Sequence, residues 1–401
     1  MKKQVADYNP EIEFHLLLLL ASKSLGISRD EKIDEILDYE ILWDEVIDLA
    51  NRHRLIPQLH NMLLEFGGKV AGNEREKIEH EYQKNVKKML MFAAENLKLG
   101  DLLTENKVPW IPLKGSLMAW HLYGDLGLRQ ARDIDILVPF SKAGIADELI
   151  VANGFIRYRP SYKLGENQAK NYFRYFHDYE YYHPKKGIFL ELHWKLFGNK
   201  HLFPVGEEEI WDNLVAREFG GRIFNTFRTE YNFLYLVVHG SLHQWFRLGW
   251  LRDIALLLQN SEAMDTHFIV QKAFKIGVER SLFQSLLLCK KLFGCSIPKE
   301  FTNEMHKAER VNLLVTRSLK AIHGAEGRVV TKKIARLKTP FYVASLRDEM
   351  KYKLACFAKL GTNAGDWNLI RIPDLLFFLY YPLRPFLYLY NAYFRKEKHC
   401  Q

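Results

Sequence analysis

The chain has 401 residues, of which 48% are apolar and 26% are charged, a composition that excludes a disordered or fibrous protein. Its four cysteines show no paired spacing and are too few for a disulfide framework, and the first residues show no signal-peptide pattern. These features predict a cytoplasmic protein. The formal net charge is +9, and residues 307–401 alone carry 18 Lys and Arg against 7 Asp and Glu. The basic surplus therefore belongs to the C-terminal part.

Apolar residues recur every three or four positions early in the chain, which predicts an N-terminal helical region over 1–106 with a break at EFGGKVAGN, residues 65–73. Short strands and helices then alternate over 107–206, in the predicted order β-α-β-α-β-β-β. From residue 207 the pattern becomes helical and stays so, which predicts a second helical region over 207–370. A basic aromatic segment follows over 371–401. The predicted fold class is α+β, a small mixed sheet flanked by two helical regions.

The stretch LKGSLMAWHLYGDLGLRQARDIDILV, residues 113–138, places two carboxylates inside a predicted strand. Side chains alternate along a strand, so Asp133 and Asp135 face one side while Ile134 and Ile136 face the core. Neighbouring carboxylates repel unless a cation or a proton lies between them, and oxygen ligands favour Mg²⁺ or Mn²⁺. Taken alone, the pattern is also typical of an edge strand with solvated carboxylates.

A third carboxylate lies in the later apolar strand IFLELHW, where a charged residue is unexpected. If this strand neighbours the first, Glu191 joins Asp133 and Asp135. Three carboxylates on adjacent strands can hold the metal ions of in-line phosphoryl or nucleotidyl transfer. We therefore predict Asp133, Asp135 and Glu191 as catalytic residues and metal ligands. His193 shares the face of Glu191 by the same alternation.

The front of the same stretch is a small-residue turn between a predicted strand and a helix that Ser116 opens. Backbone N–H groups at such a junction can receive a phosphate, and glycine at position 115 permits close approach. Lys114, Arg129 and Arg132 can offset the charge of a triphosphate. The alternative is a Gly-Ser turn that only caps the helix.

The stretch LYLVVHGSLHQWFRLGWLRDIALLL, residues 234–258, places His239 and His243 four residues apart, on one helical face. Three interpretations remain open: lining of the nucleotide cleft, hydrogen-bonded histidines of a helical core, and a metal site completed by Asp253. The full set of predicted nucleotide-binding residues is Lys114, Gly115, Ser116, Arg129, Arg132, His193, His239 and His243.

The C-terminal stretch RIPDLLFFLYYPLRPFLYLYNAYFRKEKHC, residues 371–400, is rich in aromatic residues and interrupted by prolines, so it is a poor transmembrane helix. One interpretation is peripheral membrane contact, with Arg395, Lys396 and Lys398 near lipid headgroups. A second is a terminal helix packed on the body of the protein. A third is contact with RNA through basic and aromatic side chains.

Together, the stretches at 111–138, LELHWKL and HGSLHQWFRLGWLRDIALLL resemble the nucleotidyltransferase superfamily of the DNA polymerase β type. Within that superfamily they look like a bacterial family of uncharacterised nucleotidyltransferases, over roughly residues 14–300. The resemblance implies Asp133 and Asp135 as principal metal ligands, Glu191 as the third carboxylate and Gly115-Ser116 as the cradle of the triphosphate. The superfamily pattern accepts either Gly or Ser at the position of Ser116.

The predicted function is metal-dependent transfer of a nucleoside monophosphate from a nucleoside triphosphate, with Mg²⁺ or Mn²⁺ as cofactor and release of pyrophosphate. The acceptor is unidentified: a small molecule, a sugar, a peptide and RNA all fit. Two alternatives remain. One is a toxin-like nucleotidyltransferase that modifies tRNA. The other is a non-catalytic module on the same scaffold that binds a membrane surface or a partner.

Overall fold

A computed structural model of the chain describes residues 11–260, 262, 264–307, 310–324 and 339–393. The predicted positions of Arg395, Lys396 and Lys398 at lipid headgroups lie outside these described residues. The N-terminal helices are α1 (Glu11–Lys23), α2 (Asp30–Leu37), α3 (Trp43–His53), α4 (Ile56–Phe66) and α5 (Gly72–Glu105). The predicted break at 65–73 is confirmed, since α4 ends and α5 begins within it.

The central region alternates strands and helices in the order β1 (Ile111–Pro112), α6 (Gly115–Tyr123), β2 (Ile134–Leu137), α7 (Ala143–Ala152), β3 (Ile156–Arg159), α8 (Glu166–Tyr175), β4 (Asp178–His183) and β5 (Ile188–His193). The five strands form one sheet in the order β1-β2-β5-β4-β3. Only the β2–β5 pair is parallel, and the other pairs are antiparallel. The sheet is therefore mixed, and the predicted α+β class is confirmed.

The C-terminal region begins with α9 (Glu207–Asp212) and the strands β6 (Leu214–Phe219) and β7 (Arg222–Phe227). Helices follow as α10 (Thr229–Leu242), α11 (Leu248–Gln259), α12 (Thr266–Ile276), α13 (Glu279–Phe293), α14 (Lys299–Glu304), α15 (Val311–His323), α16 (Met350–Ala358), α17 (Ala364–Leu369) and α18 (Tyr380–Tyr393). A 3₁₀ helix, Asp374–Leu379, precedes α18. No helix in the described part of the chain is both long and apolar enough to cross a bilayer.

Two elements differ from the sequence-based prediction. Residues predicted as uninterrupted helix after 207 include the β6–β7 hairpin, whose turn is Gly220-Gly221 with φ of +59° and +72°. Paired glycines at positive φ are the signature of a tight hairpin turn, so the signal was present in the sequence. The helix α8 was not predicted at all. Its sequence ENQAKNYFRY is mostly polar, and only Gln168 and Tyr172 are buried, so few apolar residues mark it as a helix.

Helix starts also differ in detail. The helix α6 begins at Gly115, one residue before the predicted start at Ser116, and Lys114 occupies its N-cap position. The helix α7 begins at Ala143, directly after the 3₁₀ helix Phe140–Lys142, and has no side-chain cap although Ser141 lies just before it. Both differences arise because a short 3₁₀ segment or a glycine can open a helix without a hydroxyl cap.

Two apolar cores hold the elements together. The larger core joins N-terminal helices to C-terminal helices, with Leu16, Leu59 and Phe283 fully buried within it. The smaller core lies against the sheet and contains Ile134 and Ile136, which confirms the predicted inward face of β2. The N- and C-terminal helices, which precede and follow the five-stranded sheet in the sequence, therefore share one core. The predicted domain boundaries after residues 106, 206 and 370 stay predictions.

The close contact between Gly240 in α10 and the Trp245 ring predicts the effect of a methyl group at position 240. A Cβ on Gly240 would lie 2.3 Å from the ring of Trp245, which is fully buried and cannot move aside. We expect Gly240→Ala to lower the free energy of unfolding by about 1–3 kcal/mol, although alanine is the better helix former. Urea unfolding measures this change.

The matched control is Gly144→Ala in α7, where a Cβ would meet nothing within 4 Å. There the helix propensity of alanine acts alone, and we expect a gain of up to about 1 kcal/mol. Equal unfolding midpoints for Gly240→Ala and wild type would contradict the packing described.

Candidate active site

The predicted carboxylates meet because β2 and β5 pair in parallel. Asp135 lies directly beside Glu191 in the register of this pair, and Leu137 lies beside His193. Asp135 is buried, whereas the side chain of Glu191 keeps 31% of its surface exposed. Asp133 is half-buried and immediately precedes β2. The sheet therefore places Asp135 and Glu191 side by side, and Asp133 lies one residue before the start of β2.

Two cationic side chains contact the buried carboxylate. Lys114 Nζ lies 3.1 Å from Asp135 Oδ1, and His193 Nε2 lies 3.3 Å from the same atom and 3.2 Å from Glu191 Oε2. Burial alone would raise the pKa of Asp135, but Lys114 and His193 hold that pKa well below its usual range. Burial also opposes charge on His193, yet the hydrogen bonds to the two carboxylates raise its pKa. The site is thus a compact group of alternating charges.

The pKa of Glu191 shifts in the opposite direction from that of Asp135. Burial of its carboxyl group raises its pKa, and repulsion from Asp135 and Asp133 adds to this effect against the hydrogen bond from His193. The influence of Asp133 on Glu191 means that all three predicted carboxylates act within one electrostatic environment. A divalent cation in that environment would relieve their mutual repulsion.

The residues present fit a divalent metal ion by their donor chemistry. Asp135, Glu191 and His193 each offer one ligand atom, and these atoms lie within 4.8 Å of one another. Carboxylate oxygens suit Mg²⁺ and Mn²⁺, and an imidazole nitrogen is also accepted by Mn²⁺. The Nδ1 atom of His193 is buried without a hydrogen-bond partner. His193 would bind a metal only after losing the proton that its hydrogen bonds to Asp135 and Glu191 favour. Asp133, the other predicted ligand, lies outside this group of three.

The small-residue turn lies next to the strand that carries the aspartates. Gly115 has a φ of +79°, and a Cβ there would lie 3.6 Å from the backbone oxygen of Asp133. The left-handed backbone conformation favours glycine, whereas the distance to Asp133 is an ordinary contact that a methyl group could make. Ser116 is fully buried, and its hydroxyl accepts a hydrogen bond of 3.1 Å from Asn96 on α5. The serine therefore anchors the turn to α5, and a phosphate would meet backbone N–H groups first.

Arg129 is buried in an ion pair instead of being directed freely at a ligand. Its Nη2 lies 3.0 Å from Asp253 Oδ2, and its Nη1 donates to the Gly115 oxygen at 3.4 Å. Tyr123 donates a hydrogen bond of 2.5 Å to the other oxygen of Asp253. Asp253 is thus fully engaged by Arg129 and Tyr123 and does not complete a metal site with the two predicted histidines. The pair ties α11 to the turn at Gly115.

A group of cations that the sequence interpretation missed lies around Asp133. Arg54 ends α3, Lys88 lies on α5 and Arg247 precedes α11; each is half-buried, and the charge of Asp133 acts on all three. Burial, followed by repulsion from Arg247, lowers the pKa of Arg54. Arg132, which was predicted, is exposed beside them. We call Arg54, Lys88 and Arg247 the cationic cluster.

Trp250 organises the two arginines of the cationic cluster. The guanidinium carbon of Arg54 lies 5.7 Å from the centre of the Trp250 ring, and that of Arg247 lies 5.3 Å from it. The Nε atom of Arg247 is buried and has no hydrogen-bond partner. Neither arginine forms an ion pair with a carboxylate among the described residues. Cations gathered without acidic partners indicate a site for an anion.

Unusual backbone conformations surround the cationic cluster. Arg54, Gln244 and Trp245 have φ of 60°, 56° and 53°, three of the five non-glycine residues with positive φ in the described chain. Such conformations persist only where surrounding contacts impose them, and they gather at functional sites. Here a Cβ on Gly249 would lie 3.0 Å from the Arg54 oxygen, so α11 packs tightly on the turn. The strain marks the junction of the N- and C-terminal helices.

His239 and His243 lie beside the same tryptophan. Their rings are 4.8 Å apart and lie 5.1 and 5.5 Å from the Trp250 ring. Burial and the nearby charge of Lys114 lower the pKa of His239 well below its ordinary value. Both histidines therefore lie against Trp250 and within the electrostatic influence of Lys114. Their contact with a nucleotide stays a prediction.

The sequence contained a weak signal for the missed arginines. Arg54 lies in RHRL and Arg247 in WFRLGW, where a basic residue interrupts an apolar run. Such interruptions are common on ordinary protein surfaces. These two arginines differ from other basic residues because the folded chain brings both of them to the Trp250 ring.

Comparison with known families matches residues 39–294 to the family described as "Uncharacterised nucleotidyltransferase". The match covers more than half of the chain and includes the sheet, the turn at Gly115 and the cationic cluster. No curated protein and no solved structure matches the chain.

The buried pair of Arg129 with Asp253 predicts a large stability effect. Asp253→Ala leaves the guanidinium of Arg129 buried without its partner, and we expect the free energy of unfolding to fall by about 3–5 kcal/mol. Chemical denaturation measures the change. Asp101→Ala removes an exposed carboxylate that contacts Arg222 at 2.8 Å, and we expect a loss of at most about 1 kcal/mol. Similar losses in both variants would show that Asp253 does not stabilise a buried charge.

Proposed function

We propose that this chain, which belongs to the uncharacterised nucleotidyltransferase family, transfers a nucleoside monophosphate from a nucleoside triphosphate to an acceptor oxygen. The acceptor oxygen forms a bond to the α-phosphorus, the bond from that phosphorus to the bridging oxygen breaks, and pyrophosphate leaves. The proton of an acceptor hydroxyl passes to a base in the site. We also propose that the chain uses the mechanism of the DNA polymerase β type and that it comes from a bacterium.

The observation that carries the proposal is the pairing of Asp135 with Glu191, together with a turn that packs on the backbone of Asp133. The two carboxylates lie side by side on interior strands of the sheet, and the turn at Gly115 lies against the residue that precedes β2. Carboxylates that repel in the absence of a cation, next to N–H groups that favour an anion, suit a metal-bound triphosphate.

We propose that Asp133, Asp135 and Glu191 hold Mg²⁺ or Mn²⁺, with His193 as a further ligand in the group. When bound, the metal ion would neutralise charge on the phosphates and increase the acidity of an acceptor hydroxyl. The role of Lys114 follows from its ion pair with Asp135. It keeps the buried carboxylate charged in the free protein, and its ammonium lies where it can also contact a phosphate oxygen.

We propose that the cationic cluster receives the β- and γ-phosphates. The Gly115 oxygen accepts from Arg129, so Arg129 positions the turn, whereas Arg54 and Arg247 have no carboxylate partner among the described residues and can bind an anion. Their placement on Trp250 orients both guanidinium groups before the ligand arrives. Oriented donors lose less conformational freedom on binding than free arginines would.

The acceptor is a separate part of the proposal. A small molecule, a sugar, a peptide and RNA each offer an oxygen nucleophile, and the described residues place no group that selects among them. Transfer of a labelled nucleotide to candidate acceptors, with tRNA as one of them, distinguishes an RNA-modifying enzyme from one that acts on small molecules.

Removal of one carboxylate charge tests the metal site. We expect Asp135→Asn to abolish binding of the triphosphate that depends on Mg²⁺ or Mn²⁺, because an amide has the shape of the carboxylate without its charge. Titration calorimetry with each of the four common nucleoside triphosphates, with and without metal, measures this binding. Glu148→Gln on α7 is the control, since it removes an exposed carboxylate on another element.

The two results separate clearly. Loss in Asp135→Asn with retention in Glu148→Gln supports the proposed site. Metal-dependent binding that is equal in wild type and Asp135→Asn would place the metal elsewhere and overturn the proposal. Circular dichroism confirms that each variant is folded.

The cationic cluster gives an independent test. Loss of one charge-assisted contact is worth about 1.5–3 kcal/mol, so we expect Arg54→Gln and Arg247→Gln each to weaken triphosphate binding by about 10- to 100-fold. Affinity for the corresponding nucleoside, which has no phosphates, is expected to stay the same. Arg222→Gln, at an exposed arginine paired with Asp101, is the control. An equal loss of nucleoside and triphosphate affinity would contradict a phosphate-binding role.

A further inference from the structure

The described C-terminal helices expose an unusual number of apolar side chains. More than half of the large apolar residues exposed in the described chain lie between residues 341 and 390. Leu375 is 88% exposed and Phe386 is 71% exposed. We use the name terminal apolar face for Leu354, Phe357, Leu375, Phe378, Phe386 and Leu389, which are all exposed.

The terminal apolar face belongs to a segment that is docked on the body by its opposite side. Phe377, Tyr380 and Leu387 are buried in the smaller core against the sheet. Asp374 accepts hydrogen bonds of 2.9 and 3.3 Å from the backbone N–H groups of Asn167 and Gln168, at the start of α8. The segment is therefore amphipathic, and its anchored side faces the catalytic sheet.

The elements that carry the face contact one another. Arg384 on α18 donates to the Leu360 oxygen at 3.2 Å, just after α16. A Cβ on Gly361 would lie 3.1 Å from the ring of Tyr381, and the rings of Phe377 and Tyr381 are 6.1 Å apart. The end of α16, the 3₁₀ helix and α18 thus form one surface and not three separate exposed segments.

Basic residues accompany the terminal apolar face. Lys351 and Arg371 are exposed, and neither pairs with a carboxylate in the described ranges. Lys359 directs its ammonium at the body of the protein instead, 5.8 Å from the centre of the Phe176 ring. The acids of the same segment are engaged: Asp366 pairs with Arg384 at 2.9 Å, and Asp374 accepts the two N–H groups of α8.

We propose that the terminal apolar face docks on the surface of a bilayer that contains anionic lipids. Apolar and aromatic side chains would enter the boundary between headgroups and acyl chains, and the surrounding cations would attract the anionic headgroups. Both contributions are needed for stable attachment, because apolar insertion or charge alone gives weak, reversible binding. This inference does not depend on the proposed nucleotidyl transfer.

Sedimentation of the full chain with lipid vesicles tests the proposal. The vesicles contain phosphatidylcholine alone or phosphatidylcholine mixed with phosphatidylglycerol. We expect wild type to sediment with the mixed vesicles, less so at high salt, and weakly with phosphatidylcholine alone. The double variant Phe386→Ser, Leu389→Ser is expected to reduce partitioning by about tenfold or more. Both side chains are exposed, so the body of the protein stays folded.

The control is Leu64→Ser, Ile223→Ser, which removes two side chains that are each 79% exposed elsewhere on the surface. Retained sedimentation of this control together with loss in the Phe386→Ser, Leu389→Ser variant supports bilayer docking. Equal sedimentation of the two double variants would overturn it. Failure of the wild-type protein to sediment with the mixed vesicles would also overturn the proposal. In that case, sedimentation velocity shows whether a second copy covers the face, through a dimer that the Phe386→Ser, Leu389→Ser variant dissociates.

Discussion

The parallel pairing of β2 with β5 is the constraint on which the rest of the site depends. It puts the carboxylates of Asp135 and Glu191 side by side in a largely buried position, where their charges must be neutralised. In the free protein Lys114 and His193 supply that neutralisation. A metal-bound triphosphate at this site, as we propose, would bring its own cation and anions to the carboxylates. Its binding would exchange one set of charge contacts for another and would leave no charge buried alone.

The helices around the sheet hold the parts of this site at fixed positions. The long helix α5 holds the turn through the hydrogen bond from Asn96 to Ser116, and α11 holds it through Arg129 and Asp253. Gly115 and Ser116 are both buried, so these two contacts fix the backbone of the turn within the protein. Polar side chains that looked like ligands in sequence thus act by positioning the backbone that would meet the phosphate.

Two surfaces of different chemistry extend from the sheet. The cationic cluster gathers arginines from the N- and C-terminal helices around one indole ring, close to the carboxylates. The terminal apolar face is anchored on the sheet through Tyr380 and Leu387 and lies on segments beyond the family match. Catalysis and attachment to a bilayer would therefore reside in separate parts of one chain. The face is held by Tyr380 and Leu387 in the smaller core and by Tyr352 in the larger core.

Local patterns in the sequence were sufficient for features that depend on neighbouring residues. The alternation around Asp133 and Asp135 predicted the face that they share, and apolar periodicity predicted the helical regions and the α+β class, because side-chain direction follows from backbone period alone. The tertiary structure decided what depends on distant contacts. It paired Glu191 with Asp135, committed Arg129 to Asp253 and brought Arg54 to Arg247 across nearly two hundred residues. No local period encodes such contacts, since they arise only when the two helical regions pack into one core.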